Sequence, residues 1–578
     1  MPGIGMLKSL RELDWFSVKN EKGFKIGELE HLNELRRLRI SSLESVKDAK
    51  EACIAKLCEK RNLTDLWLVW GDESKTLRNT LDTVLDEEVL ENLQPHNKLE
   101  HLRIYAYMGA KSARWMDNAN YIFNLKFIEL SRCLEWETLP PFEQLPFLKT
   151  LFLHDMPKAK CFYNKFHGNG KACVFPSLER LDITKLEALE HWFDATEDAW
   201  PFPCLHILRL KDCPNLQELS SRPPNLWNLE IDNVGWKAFN WLPGIDDRCR
   251  YISIKNCSNF NYIRQQKNSE TFKKIINKVI VNDLSVLLME PLRSITSFEE
   301  LSIEENDDLI SFTIEAEQWF LQFSLSLLEL NFRRLKSLQS LPSSLPRLSS
   351  LQVLCIQEAP QLQQLSNIPG SLERLDLEKL ESLLCLQSLS AITSLQYLTL
   401  ESIPLLKALP DLPPSLYELR LKDLNQLDCL PSCFPTLSSL QTLNIIKVPQ
   451  LRELPGLPPS LLSLFLEGLN QLDCPPSFLS RLSSLDKLVI INLSQLRELQ
   501  GLPPALSKLQ LEDLDRLDCL PSSLANLSSL RVLWIINVPQ LRDLPDLPPS
   551  LEHLVIEDCH PELMERYKEY SGSDWHKI

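Results

Sequence analysis

The sequence predicts an α/β repeat solenoid, a curved horseshoe in which short parallel strands form one long sheet on the concave face. A block of 45 residues that opens with LPPSL or LPPAL begins at Leu412, Leu457, Leu502 and Leu547. Each complete block holds the pattern L-x-x-L-x-L twice, at gaps that alternate between 24 and 21 residues. A leucine recurrence of about 20–29 residues is typical of leucine-rich repeats.

The leucine pattern continues upstream of the regular blocks and gives roughly 23 repeats in total. In one repeat, Leu440, Leu443 and Ile445 alternate along a predicted strand, as the period of two in a pleated strand requires. A single unit cannot bury these side chains, so neighbouring units must stack into a continuous core. Further copies begin at Leu35, Leu63, Leu99, Leu125, Leu148, Leu178, Leu205, Leu226, Phe298, Leu325, Leu351, Leu372 and Leu395, with weaker ones near Leu10, Cys249 and Ile276.

The segments between strands differ along the chain. The later repeats carry proline-rich stretches such as LPDLPPSL, and proline has no N–H to donate to a central sheet. We therefore expect proline-rich turns on the convex face there. In the N-terminal third, the spacing of apolar residues from Asp48 to Asn62 and from Glu87 to Leu93 predicts short helices, the second ended by Pro95.

Four segments follow from this organisation. Irregular repeats occupy residues 1–231, and residues 232–297 hold irregular repeats or an insertion, because QQKNSETFKKIINK lacks the leucine ladder. Regular repeats occupy 298–558, with the double repeat from 412, and residues 559–578 form a C-terminal cap. At the other end we expect an exposed apolar edge around Leu10, Leu13, Trp15 and Val18, because a solenoid end needs a cap.

Composition limits the function classes. The chain has 578 residues, of which 44% are hydrophobic and 24% charged, as in globular proteins. A net charge of −16 argues against nucleic acid as a partner. No apolar stretch is long enough for a membrane span, and the N-terminus lacks a secretory signal. We expect a protein of the cytoplasm or the nucleus whose sixteen cysteines are reduced thiols.

No motif for catalysis or cofactor binding is present. The sequence lacks G-x-x-x-x-G-K-[ST], and GNGKA at Gly168 is too short for a phosphate loop. It also lacks H-E-x-x-H, G-x-S-x-G and a C-x-x-C pair, and the ten histidines have no ligand spacing. We therefore predict no enzyme activity, no cofactor and no metal site.

Two sets of cysteines have a structural interpretation. Cys133, Cys213, Cys257 and Cys559 follow a strand by three residues, where a leucine-rich repeat turns a side chain inward. Cys429, Cys474 and Cys519 recur at one place in successive blocks. Both sets are predicted to form buried ladders, rather than metal sites.

The candidate binding residues lie at the outward strand positions of the pattern. Exposed aromatic side chains mark contact surfaces more often than charged ones do. Phe465, Val489 and Trp534 occupy the same position in their strands. The alternative is that some of these side chains only pack against their neighbours. The predicted protein-binding residues are Trp67, Phe152, Tyr397, Arg420, Phe465, Val489 and Trp534.

Several strings resemble a known family. These are PGIGMLKSLRELDWFSV from Pro2, IGELEHLNELRRLRISSLESV, EACIAKLCEKRNLTDLWLVW, EEVLENLQPHNKLEHLRI, the stretch from Ile128 to Met156, and CHPELMERYKEYSGSDWHKI from Cys559. They resemble the leucine-rich region of plant intracellular coiled-coil, nucleotide-binding, leucine-rich-repeat disease resistance proteins. The coiled-coil and nucleotide-binding domains, with their P-loop, are absent from this sequence.

The resemblance implies a recognition module of an intracellular immune receptor. Its partners would be a pathogen effector or a guarded host protein, and a nucleotide-binding domain supplied in trans is a further candidate. A scaffold or decoy without a signalling role is an alternative. A ubiquitin-ligase substrate adaptor would need an F-box, yet the first 40 residues already read as repeats. An extracellular ectodomain would need a signal peptide and capping cysteine pairs.

Overall fold

The computed structural model describes residues 3–71, 83–160, 175–190, 202–217, 223–236, 250–257, 275–288, 292–295, 297–365, 368–472, 479–499, 501–568 and 571–573. The chain divides into two compact units, Met1–Ile295 and Thr296–Ile578. The four-segment division drawn from the sequence remains a prediction. Cys474 and the GNGKA segment lie outside the described residues, as does most of QQKNSETFKKIINK.

In the first unit, successive strands pair in parallel and in chain order. The strands are β1 (Glu12–Ser17), β2 (Arg37–Ser41), β3 (Asp65–Val69), β4 (His101–Tyr105), β5 (Phe127–Ser131), β6 (Thr150–His154), β7 (Arg180–Thr184), β8 (Ile207–Cys213), β9 (Asn228–Val234), β10 (Tyr251–Lys255) and β11 (Ile275–Val281).

The second unit continues the same plan. Its main strands are β12 (Ser297–Glu304), β13 (Glu329–Arg333), β14 (Val353–Gln357), β16 (Arg374–Glu378), β18 (Tyr397–Glu401), β19 (Glu418–Lys422), β20 (Thr442–Ile446), β21 (Ser463–Glu467), β22 (Lys487–Ile491), β23 (Lys508–Glu512), β24 (Val532–Ile536) and β25 (His553–Glu557). Two short strands, β15 (Gln364–Leu365) and β17 (Cys385–Leu386), pair separately.

The parallel ladders account for the leucine pattern. Leu419 lies opposite Leu443, and Leu421 lies opposite Ile445, with all four side chains fully buried. Residues on either side of each buried leucine face solvent, as the alternation of a pleated strand requires. The described residues thus place 23 strands in parallel ladders, which confirms the predicted leucine-rich-repeat solenoid.

After many of the strands the chain turns through one residue in the left-handed conformation. Lys447, Asn492, Asp513 and Asn537 follow strands β20, β22, β23 and β24, with φ between 51° and 55°. Gly468 has φ 66° at the equivalent place after β21. Asparagine and aspartate tolerate this conformation better than most residues, which explains their recurrence at strand ends.

Short helices occur at few places in the described residues. The two predicted ones are present, as α1 and α2, and the C-terminal cap contains α6. The leucine spacing does not predict α5, yet Thr313 caps its N-terminus, and Ala316, Trp319 and Phe320 are buried. The helices are α1 (Ala49–Ile54), α2 (Thr83–Asn92), α3 (Arg114–Asp117), α4 (Leu284–Leu287), α5 (Ile314–Gln322) and α6 (Pro561–Arg566).

Single 3-10 turns connect many of the other strands. They are Ile4–Met6, Ile26–Leu29, Leu43–Ser45, Leu57–Glu59, Phe142–Gln144, Leu292–Ser294, Leu345–Arg347, Phe434–Thr436, Leu479–Arg481 and Ser522–Asn526. Proline lies at the beginning of the turns at Leu345 and Phe434, where its missing N–H costs no hydrogen bond.

The first cysteine set is buried, as predicted. Cys133, Cys213, Cys257 and Cys559 each follow a left-handed residue, which turns the thiol inward toward backbone carbonyls. The Sγ of Cys257 lies 3.1 Å from the carbonyl oxygen of Lys255, and that of Cys213 lies 3.3 Å from Lys211. Burial raises the pKa of the Cys133 thiol to about 12 and that of Cys257 to about 11.

The prediction for the second cysteine set is wrong. Cys429 and Cys519 are exposed. Leu427 and Leu430 both point into the core, and a spacing of three leaves the intervening Cys429 on the outside. The neighbouring Asp428 raises the pKa of the Cys429 thiol through a hydrogen bond, so the thiolate form is disfavoured.

Two further expectations need correction. At the N-terminal edge, Leu13 and Val18 are buried, because β1 pairs with β2, whereas Trp15 is exposed. At Leu325 the repeat is displaced by two residues. Leu325 is exposed, and Leu327, Leu330 and Phe332 fill the core instead.

Candidate functional site

The candidate site is the solvent face of the sheet, to which the five-residue strands contribute their first, third and fifth residues. The strand register aligns equivalent residues of neighbouring repeats, so each position forms a column that crosses the strands. Adjacent residues of one column are about 4.8 Å apart. All seven residues predicted from the sequence lie at the first or third position.

In the first unit, the face of β1–β7 carries arginine and aromatic side chains in contact. The guanidinium of Arg39 lies between Trp15 and Trp67, at 4.1 Å and 3.7 Å from the ring centres. Arg103 lies 5.7 Å from the Trp67 ring and 4.6 Å from Phe127. We call this set, with Phe152 and Arg180, the arginine–aromatic ladder. Each stacked cation contributes about 0.5–1 kcal/mol at an exposed site.

Phe152 extends this ladder. Its ring lies 5.4 Å from Phe127 in an edge-to-face arrangement, and Arg180 lies 4.8 Å from the Phe152 ring centre. Arg209 then forms a salt bridge to Glu230 at 2.9 Å. The two predicted residues of this unit, Trp67 and Phe152, are therefore already in contact with cations of the same face.

The second unit presents a different face. Phe465 lies opposite Val489, and Trp534 lies two strands beyond Val489 with Gln510 between them. The structure thus brings these three predicted residues together in one column, half-buried and facing solvent. Val555 of β25 continues the column beside Trp534.

A second apolar column, at the fifth strand position, accompanies the first. It contains Ile446, Ile491 and Ile536, each half-buried. With Phe465, Val489, Trp534 and Val555 these residues form one surface on β20–β25, which we call the apolar face. Lys508 lies on its other side, with the ammonium 4.0 Å from the Trp534 ring centre.

Tyr397 and Arg420 lie nearer the N-terminal end of this unit's sheet. The Tyr397 ring is 5.9 Å from that of Tyr417. Arg420 occupies the third position of β19, directly opposite Asn444 of β20. On the same strand, Lys422 is ion-paired with Glu401, and this hydrogen bond raises the pKa of Lys422. Arg420 therefore lies at the charged border of the apolar face.

The sequence reasoning missed the isoleucine column and the stacking partners of Trp67. Ile446, Ile491 and Ile536 are 45 residues apart, so the block period could have revealed them. Trp15 and Arg39 gave no comparable signal, because the first repeats are irregular and β1 contains a register shift between Leu13 and Phe16.

The described residues offer little for cofactor or metal chemistry. They contain no group of three or more histidine, cysteine, aspartate or glutamate residues that could hold a metal ion. A groove of about 760 Å³ follows the strand ends from β12 to β19. Its charges are paired internally, with Arg334 at 2.6 Å from Glu305 and Lys379 at 2.8 Å from Glu358.

None of the described helices combines the length and the apolar character that a bilayer span requires.

Known proteins with similar sequences are plant defence proteins. Residues 26–156 match the family model described as R13L1/DRL21 leucine-rich repeats. The chain is 32% identical over 266 residues to disease resistance protein RGA2 of Solanum bulbocastanum, covering 44% of this chain and 26% of that protein. It is 30% identical over 236 residues to the putative disease resistance RPP13-like protein 1 of Arabidopsis thaliana, covering 39% and 22%. The chain thus spans about a quarter of the length of these relatives.

Several solved structures also align with this chain at low sequence identity. The chain aligns with TLR13 from its complex with ssRNA13 at 16% identity, over 93% of this chain and 73% of that one, with a TM-score of 0.43. A Leptospira interrogans leucine-rich-repeat protein, LIC12759, aligns over 98% and 95% at a TM-score of 0.29. The matching part of this chain is therefore similar to the leucine-rich-repeat regions of plant disease resistance proteins.

Proposed function

We propose that this chain is the recognition module of a plant intracellular immune receptor and binds a pathogen effector or a guarded host protein through its sheet face. The similarity to disease resistance proteins supports the defence role. The apolar face on β20–β25 is the observation that carries the binding proposal, because it exposes tryptophan, phenylalanine and isoleucine on one rigid surface.

The chemistry of this surface fits a protein partner. Binding energy in protein interfaces concentrates in a few central apolar and aromatic side chains that a polar rim shields from water. Phe465, Val489 and Trp534 would supply the centre, with Tyr397 and Arg420 toward one border. The strand backbone beneath them is fully hydrogen-bonded, so the side chains are held in place before the partner arrives.

The arginine–aromatic ladder has a secondary role in this proposal. Its aromatic rings already contact cations, so a partner would gain less from covering Trp67 or Phe152 than from covering Phe465 or Val489. Any contact there would depend on the charged groups of the same face, such as Arg103 and Glu129, which lie 3.3 Å apart. We expect that surface to affect association rate more than affinity.

The proposal is for binding and not for catalysis. The module would work in the cytoplasm, and a nucleotide-binding domain would be supplied by another part of the receptor or in trans. Calorimetric titration of the chain with ADP should therefore give no binding heat, whereas micromolar affinity would contradict this part of the proposal.

The test is co-expression in leaf tissue with candidate effectors and nucleotide-binding partners, with scoring of pull-down and cell death. Replacing both Phe465 and Trp534 by alanine should abolish partner binding and leave the thermal unfolding temperature nearly unchanged. The matched control replaces Phe123 and Phe147, an exposed aromatic pair 5.2 Å apart in the first unit, by alanine. That control should bind normally.

Unchanged binding by the double variant on β21 and β24 would contradict the proposed site. Binding that depends on this face but never alters cell death would instead support the scaffold or decoy alternative.

A further inference from the structure

The apolar face has a charge pattern with a period of two strands. Its fifth-position column reads Ile446, Glu467, Ile491, Glu512, Ile536 and Glu557 across consecutive strands β20–β25. The alternation arises because each 45-residue block contributes two strands. Neighbouring strands are about 4.8 Å apart, so the glutamates recur about every 9.6 Å.

These glutamates differ from the acidic residues of the preceding strands. Glu401 pairs with Lys422, and Arg374 pairs with Asp376 at 2.6 Å. Among the described residues, the salt bridges near the C-terminal end of this sheet include Arg531–Glu552 and Arg566–Asp543, but none of the three glutamates. Glu512 accepts a hydrogen bond from the neutral amide of Gln510 at 3.1 Å. The column therefore presents carboxylates whose charge is not neutralised by those ion pairs.

The opposite border of the apolar face is basic. Lys487 and Lys508 occupy the first positions of the adjacent strands β22 and β23. First and fifth positions are about 13 Å apart along a strand, since each residue advances about 3.3 Å. An α-helix with its side chains is about 10–12 Å wide, so one helix fits between the two borders.

The spacing also selects the conformation of the ligand. Seven residues of an α-helix advance about 10.5 Å, close to the glutamate period, and bring a side chain back to the same face. An extended strand repeats its face every two residues, about 6.6 Å, which does not match. A polyproline helix repeats every three residues, about 9.3 Å, but each of its three edges is a single row of side chains, which covers less of the two-column apolar face than an α-helix does.

We propose that the apolar face binds an amphipathic α-helix that crosses β20–β25 and carries a basic residue every seven positions along one flank. That flank lies over Glu467, Glu512 and Glu557, and an acidic flank lies over Lys487 and Lys508. Apolar residues between the flanks cover Val489 and Trp534 and fill the spaces at the isoleucines. This inference rests on the proposed function and specifies the partner's chemistry.

The test uses three fluorescein-labelled 21-residue peptides and the full chain, followed by fluorescence anisotropy. The matched peptide has two leucines, one lysine and one glutamate per heptad, with the charges on opposite flanks. The second, charge-exchanged peptide has glutamate in place of every lysine and keeps the leucines and the other glutamates. The third is proline-rich, with a lysine at every third position. We expect the matched peptide to bind about tenfold more tightly than the charge-exchanged one, from three weak surface pairs acting together.

Charge reversal on the protein provides the decisive comparison. The triple variant Glu467→Lys, Glu512→Lys and Glu557→Lys should prefer the charge-exchanged peptide. The control variant Glu453→Lys, Asp515→Lys and Glu565→Lys makes the same change in net charge at exposed positions away from the sheet face. It should keep the wild-type order of affinities.

Four results would overturn the inference. They are equal affinity for the matched and charge-exchanged peptides, tighter binding of the proline-rich peptide, binding that survives Phe465→Ala with Trp534→Ala, and no measurable binding of any peptide. The leaf co-expression test separates these failures from that of the proposed function. Suppose that binding of a natural partner is abolished by Phe465→Ala with Trp534→Ala but is unchanged by the three glutamate reversals. That result would contradict the helical ligand and leave the proposed function intact.

Discussion

The two units of this chain use the same leucine ladder but stabilise and decorate it differently. In the first unit, repeats of unequal length contain polar interactions that occur once, such as the hydrogen bonds of a buried lysine under a 3-10 turn and the stacking of arginines on aromatic rings. In the second unit, the duplicated block repeats one hydrogen bond at equal intervals. The difference indicates that irregular repeats are stabilised by interactions specific to one place in the chain. Regular repeats present the same surface pattern several times.

The buried device of the first unit is Lys60, whose side chain is fully buried. Its ammonium donates hydrogen bonds to the carbonyl oxygens of Leu29 at 2.7 Å and Leu32 at 3.2 Å. Burial lowers the pKa of Lys60 to about 8. The ammonium thereby links the carbonyl of Leu29, which also accepts from the backbone N–H of Leu32 at 3.2 Å, to the carbonyl of Leu32.

The recurrent device of the second unit is a serine at the fourth position of LPPSL. The hydroxyls of Ser415, Ser460 and Ser550 donate to the carbonyl oxygens of Leu395, Leu440 and Leu530, at 2.8 Å to 2.9 Å. Each bond joins one repeat to the preceding one. In the third block this serine is replaced by Ala505.

The largest expected effect is in the first unit. Lys60→Met removes a charged donor from buried carbonyls and should reduce the stability of that unit by about 3 kcal/mol. Hydrogen exchange should show faster exchange in β2 and β3 and unchanged exchange in β20–β25. Lys56→Met is the control, because Lys56 pairs with Glu30 at the surface. Equal stability of the Lys60 variant and the wild type would contradict the assigned role.

The next largest expected effect is a difference between the two units in how stability depends on pH. Burial raises the pKa of Glu143 in the first unit to about 7 from 4.5, and one of its oxygens has no hydrogen-bond partner among the described residues. The folded state therefore holds a proton that the unfolded state has lost. This contribution is complete below pH 4.5 and is lost as the pH rises through 7.

Glu143→Gln should remove that pH dependence, worth about 3 kcal/mol, from thermal unfolding followed between pH 4 and 8. Glu317 in the second unit gives the opposite sign. Burial raises its pKa, but hydrogen bonds from Ser343 and Ser344 outweigh burial and lower it overall. Its contribution is present above 4.5 and is lost in acid. The same pH slope in Glu143→Gln and wild type would refute the first half of this comparison.

The duplicated blocks allow a reciprocal test of the serine device. Ser460→Ala should destabilise the second unit by about 1 kcal/mol, the net value of one such hydrogen bond. Ala505→Ser should stabilise it by a similar amount if the new hydroxyl reaches the carbonyl of Leu485. Urea unfolding of both variants measures the two changes in the free energy of unfolding. Destabilisation by both substitutions would show that the hydroxyl has no general role at this position.

The smallest effect concerns the left-handed residue after each strand. Lys447→Gly should stabilise the second unit by roughly 0.5 kcal/mol, because glycine adopts this conformation without the steric cost that a side chain has. Gly468→Ala, at the equivalent place one repeat later, should destabilise it by a comparable amount. Urea midpoints that move in the same direction for both variants would contradict the assignment of strain.

The fold was predictable from the leucine spacing because a period of two within a strand and a recurrence of 20–29 residues leave few alternatives. The site was predictable only in part. Phe465, Val489 and Trp534 share a strand position, so the sequence alone placed them in one column. The stacking of Arg39 between Trp15 and Trp67 was not predictable, because it depends on side chains from three irregular repeats meeting across the sheet.

The cysteine error has the same physical origin. Cys257 and Cys429 both follow a strand closely in sequence, but only Cys257 comes directly after a left-handed residue that turns its thiol inward. Backbone conformation of this kind is not encoded by residue type alone, since the left-handed positions include lysine, arginine and glutamate.

The most direct test of the binding surface is photo-cross-linking with the partner recovered from leaf co-expression. Benzoylphenylalanine would replace Val489 on the apolar face in one variant and Phe152 on the arginine–aromatic ladder in another. We expect a strong partner adduct from position 489 and a weak or absent one from position 152. An adduct formed from position 152 and not from position 489 would contradict the account.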